Sequence, residues 1–96
     1  MYSLKNVKSR WFELQLPTNK ILHLEQPKLK VLAKIEKMGG TVEEMSKVIA
    51  QLMSKNREGF KVTADNVQEW MTAEQCGEFL DSFVSWTYNE KAADPN

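Results

Sequence analysis

The sequence predicts an α+β fold, mainly α, with an N-terminal β-hairpin packed on about four helices. Three observations predict it. The stretch FELQLPTNKILHLEQP, residues 12–27, alternates apolar and polar side chains on both sides of a turn. From Lys28 onward, apolar residues recur at helical spacing instead. Thr41 and Thr72 are each followed three residues later by Glu or Gln, which gives two helix starts. With 96 residues the chain has the length of one domain. It reads as one unit over 1–90, with KAADPN at 91–96 as a frayed tail.

The hairpin register follows from its turn. With Leu16 facing Lys20, Pro17 takes the first central position of a type I turn, where its fixed φ fits. Asn19 then takes the left-handed position that closes a three-residue loop. Leu14 falls opposite Leu22 and Phe12 opposite Leu24, so Phe12, Leu14, Leu16, Leu22 and Leu24 share one face. A lone hairpin is marginal in water, so that face needs a cover, and the helices must supply it.

Pro27 ends the second strand and suits a helix start. KLKVLAKIEKM (28–38) reads as the first helix, with Leu29, Leu32 and Ile35 along one stripe, and Gly39-Gly40 stops it. VEEMSKVIAQLMSKN (42–56) is the second, capped by Thr41 and Glu44. Its Val42, Met45, Ile49, Leu52 and Met53 span an arc of about 100°, as one buried face requires. Asn56 and Gly59 end it, and GFKV is an extended link. Thr63 caps a brief third helix carrying Val67, Trp70 and Met71. The Thr72–Gln75 pair opens the last helix, residues 73–90.

The last helix differs from the others. At about 100° per residue, Cys76, Phe79, Leu80, Phe83 and Trp86 fill one face, while Val84 and Tyr88 lie well round the cylinder beside Gly77. The apolar arc approaches about 200°, roughly twice that of the second helix, and a helix so apolar is usually covered on two sides. Gly77 costs about 1 kcal/mol relative to Ala in a helix interior, which points to a close-packing role. Either the hairpin and first helix cover this whole arc, or another chain supplies part of the cover.

Composition narrows the chemistry. The net charge is zero but unevenly placed. Residues 1–40 carry eight Lys/Arg against three acids, and residues 41–96 carry five against ten. Such a split fits a nucleic-acid partner for the basic half, attraction between copies of the chain, or simply two solvated faces with no partner. Cys76 is the only cysteine, which excludes an intramolecular disulfide and suits a reducing compartment. No apolar run is long enough to span a bilayer, and MYSLKNVKSRWF has no apolar core of a signal peptide, so a soluble cytoplasmic protein is expected.

No catalytic, cofactor-binding or metal-ligating residue is expected. His23 is the only histidine, and Cys76 is too far along the chain to join it at any metal-site spacing. MGGTVEE lacks the flanking strand and the Lys-Ser/Thr ending of a phosphate loop, and Glu43 and Glu44 would repel an anion. Glu43, Glu44, Asp65 and Glu69 are better read as charges near helix starts than as acid–base pairs. The chain is read as a non-enzyme. An alternative to a protein-binding role is a small nucleic-acid-binding module using the lysine-rich residues 5–37, with Lys28, Lys30, Lys34 and Lys37 near Lys5, Lys8 and Arg10.

The order of elements and several short patterns add a family reading. LQLPTNKILHLEQP, a capped helix ending MSKNREGF, KVTADNVQEWM, and FLDSFVSWTYNE before a polar PN ending lie in sequence over residues 11–90. In this the chain resembles the small tail assembly chaperones of long-tailed bacteriophages and prophages; MYSLKNVKS adds nothing to the likeness. The resemblance implies a non-enzymatic protein of the bacterial host cytoplasm, without cofactors. It would bind the long helical tape-measure protein and help recruit tail-tube subunits, and a frameshifted longer form often accompanies such proteins. A homo-oligomer is a separate expectation, from the charge split and the wide apolar arc of the last helix. The apolar residues that suit client or subunit contact are Trp86, Tyr88 and Val84, with Met53 as an adaptable apolar contact.

Overall fold

The computed structural model describes residues 10–88. Within them run β1 (Phe12–Gln15), β2 (Ile21–Leu24), α1 (Leu29–Lys37), α2 (Val42–Ser54), α3 (Ala64–Trp70) and α4 (Ala73–Tyr88). A two-strand antiparallel hairpin followed by four helices is the α+β, mainly α fold predicted from the sequence. Lys5 and Lys8, the last two residues of the expected 73–90 helix and the 91–96 tail lie outside the described residues.

The hairpin has the expected register, Phe12 opposite Leu24 and Leu14 opposite Leu22. Asn19 holds the left-handed position with φ 72°. Its N–H donates to Leu16 O, and Leu16 N–H donates to Lys20 O, both at 2.8 Å. Leu16, Leu22 and Leu24 are buried, and Phe12 and Leu14 pack at the core margin.

The far edge of β2 is also paired. Glu25 N–H donates to Lys55 O at 2.8 Å and Arg57 N–H to His23 O at 2.9 Å, around a Leu24–Asn56 bridge. Residues 55–57 thus lie against β2 through one isolated antiparallel bridge. This explains why α2 stops at Ser54 rather than continuing to Asn56. The buried Asn56 side chain donates to Met53 O at 2.7 Å and Phe60 O at 2.6 Å, and accepts from Phe60 N–H at 2.8 Å. It competes with the helix for its own backbone, as asparagine does. Gly59, at φ 72°, turns the chain back.

Helix caps follow the sequence. Thr41 accepts from Glu44 N–H, Thr63 and Asn66 form a reciprocal box, and Thr72 with Gln75 forms another. The inward faces follow less closely. On α1 the inward residues are Val31, Leu32 and Ile35, while Leu29 is 81% exposed. Three-residue spacing drifts by about 60° per step, so Leu29 rotates outward once Val31 and Ile35 set the direction. Val42, at the first position of α2, is 65% exposed because it lies one turn beyond the core. Ser46 is buried instead; its hydroxyl donates to Val42 O at 2.8 Å and accepts from Gln68 Nε2 at 2.9 Å.

One apolar cluster joins the hairpin to α2, α3, α4 and Val62 of the link. Leu22, Leu24, Ile49 and Phe83 are fully enclosed, each stabilising the fold by roughly 1.5–3 kcal/mol relative to exposure. No helix among the described residues is long and apolar enough to cross a membrane.

Candidate functional site

The inner side of α4 is built as its periodicity predicts. Cys76, Phe79, Leu80 and Phe83 are buried, and Phe12 of β1 stands edge-on to three aromatic rings of this helix. Its ring centroid lies 6.0 Å from Phe79, 5.3 Å from Phe83 and 5.5 Å from Trp86. Such contacts fix the helix against the hairpin and add to simple burial.

Trp86 is half-buried. Arg10 holds its other side, with the guanidinium 4.8 Å from the indole centroid. Arg10 Nη2 also donates to Trp86 O at 2.8 Å. That carbonyl is among the last four of α4, which have no partner within the helix, and a cation there also suits the helix dipole. Sequence reasoning placed Arg10 in a basic cluster; only its meeting with a residue 76 positions away reveals this task.

Val84 is half-buried and Tyr88 is 63% exposed, so the outer flank at the end of α4 is apolar and open. Met53 does not join them. It is 2% exposed in the core, because it faces the hairpin and the α3–α4 side from α2, and it offers no surface for a partner. Gly77 is exposed with nothing within 4 Å of the place a Cβ would occupy, so the expected close packing is absent among the described residues.

The groups with potential chemistry are occupied or shielded. Burial pushes the Cys76 thiol up, away from the reactive thiolate. His23 lies between two carboxylates, Nδ1 at 2.5 Å from Glu58 and Nε2 at 3.3 Å from Glu13. Since these approach opposite ring nitrogens, they cannot converge on one ion. Among the described residues no three His, Cys, Asp or Glu side chains are placed to hold a metal. The backbone N–H of His23, at 2.8 Å, and then the His23 ring hold the Glu58 carboxyl at about 2 instead of its usual 4.5. This cluster fastens the 55–60 segment to the hairpin. The 35-residue separation hid it from sequence patterns.

The lysines of α1 are exposed and border a groove against α2, joined by Lys47. Arg10 and Lys20, by contrast, are turned onto the rings of Trp86 and Phe60. Compared with models of known protein families, with curated proteins and with solved structures, the chain gives no match.

Proposed function

We propose that this chain is a non-enzymatic assembly factor of the phage-tail chaperone kind, working in the host cytoplasm. It binds the tape-measure protein and/or tail-tube subunits through the outer flank of α4. The observation that carries this reading is the open apolar flank at the end of α4, Tyr88 with Val84, on a helix whose opposite side is locked into the core. A rigid helix presenting apolar side chains suits a helical partner, which meets them at i, i+3 and i+4 spacing.

The test is co-expression with a phage tape-measure protein. Replacing Val84 with Ser and Tyr88 with Ala should abolish co-purification while the thermal midpoint stays put. Undiminished capture by that double variant would remove the site. Trp86→Ala is a poorer probe, since its contacts with Phe12, Phe83 and Arg10 make it structural as well.

A further inference from the structure

The charge split of the sequence resolves in the fold into two matching helix surfaces. On α1, Lys30, Lys34 and Lys37 stand at i, i+4 and i+7 and are exposed, so at about 100° per residue they form one row. On α4, Glu74, Glu78 and Asp81 have the same spacing and the same exposure. Each row carries a small residue on the same flank, three positions after its first charge: Ala33 on α1 and Gly77 on α4. No basic residue occurs between Lys61 and Lys91, so nothing on α4 tempers its acids. The lysine row is reinforced by Lys47 of α2 and opposed by Glu44 across the groove, with Glu36 round the other side of α1.

Among the described residues, none of the six row charges is in an ion pair. The lysine row borders an open groove of about 500 Å³ between α1 and α2, floored by Ala33, Met38 and Val48. Gly77 stands in open space although glycine weakens a helix interior.

We propose that α4 of one copy lies antiparallel on the α1 row of a second copy. This alignment brings Asp81 to Lys30, Glu78 to Lys34 and Glu74 to Lys37. It also sets Gly77 against Ala33 on one side, where the missing side chain lets the helices approach. The opposed helix directions add a small favourable dipole effect. Because the two surfaces differ, the contact is either made twice in a closed two-fold dimer or passed head to tail into a ring or an open chain. The last two turns of α4, with Val84, Trp86 and Tyr88, lie beyond Asp81, the last of the paired charges. The inference therefore goes beyond the client reading and stands whether or not that client is bound.

The test is the oligomeric state of the full chain by light scattering and sedimentation. Self-association is expected at low salt and should fade towards about 1 M salt, where screening acts within about 3 Å. Reversing the lysine row (Lys30→Glu, Lys34→Glu, Lys37→Glu) or the acidic row (Glu74→Lys, Glu78→Lys, Asp81→Lys) should each weaken it roughly a hundredfold or more. Mixing the two variants should restore association with the two alternating, since the all-acidic variant meets the all-basic one favourably through either row while neither pairs with itself. Gly77→Gln keeps the fold, having open space to enter, and should weaken self-association like the reversals; it decides the matter if a triple variant fails to fold. A wild-type chain that is monomeric at low salt overturns the proposal. So do two folded single-row variants that fail to pair on mixing, or a lysine row that binds nucleic acid while the chain stays monomeric.

Discussion

The hairpin and α1 follow one another in the chain, and neither would be stable alone, yet they are secured very differently. The hairpin buries Leu16, Leu22 and Leu24, meets the α4 aromatics through Phe12, and pairs its second edge with residues 55–57. α1 buries one residue, Leu32, and starts at Lys28 without a side-chain cap. Its one side-chain hydrogen bond to α2, Lys34 to Gln51, is 3.4 Å long. An amphipathic stripe thus tells which side of a helix turns inward, but not how many restraints hold it there. Stability within one small core is unequal for this reason, and weakly tethered elements open first.

The comparison can be tested from its strong side. Leu22→Ala removes a fully enclosed side chain and should destabilise the whole chain by about 4 kcal/mol, read as a lower urea midpoint by every probe. Asn56→Ala strips the partners from Met53 O, Phe60 O and Phe60 N–H. We expect a loss of about 2–3 kcal/mol, with faster hydrogen exchange at Glu25 and Arg57, whose bonds depend on that loop.

Leu32→Ala should cost about 2 kcal/mol at most and act locally. Amides of α1 should exchange faster while those of α2 and the hairpin hardly change; global unfolding by this variant would show that α1 is better tied than its contacts imply. Lys28→Asp should work in the opposite direction. Lys28 already has the extended geometry of a cap (φ −76°, ψ 161°), and no acid occupies the first turn. A side-chain cap there should stabilise by about 0.5–1 kcal/mol and slow exchange in α1 alone.

The smallest contrast is electrostatic and read through pH. Glu58 titrates near 2 in the folded chain and near its usual 4.5 when unfolded, so the unfolded chain binds more protons between those values. Its stabilising contribution is complete above about 4.5 and is lost as pH falls through about 2. The thermal midpoint of wild type should exceed that of Glu58→Gln above that window and converge with it at the acid end. A constant difference across the range would exclude this ionic link.

Much of the fold was legible in the sequence because it rests on local chemistry. Pro17 and Asn19 fixed the turn, the turn fixed the register, and three threonines fixed three helix starts. The inward side of α4 was likewise readable from Cys76 through Phe83. What escaped depends on meetings between distant residues: Arg10 with Trp86, Glu58 with His23, Asn56 with Phe60 in a loop that also edges the sheet. Leu29, Val42 and Met53 share a cause. Periodicity gives an angle around a helix, whereas exposure also depends on where along its axis the neighbouring elements begin and end.

The grip of Arg10 on Trp86 has a practical consequence. Arg10 sits against the last turns of α4, so a dye attached at that position would break the contact with Trp86 and disturb the neighbouring partner flank. A dye on Thr18, at the exposed tip of the hairpin turn, avoids that end of the protein.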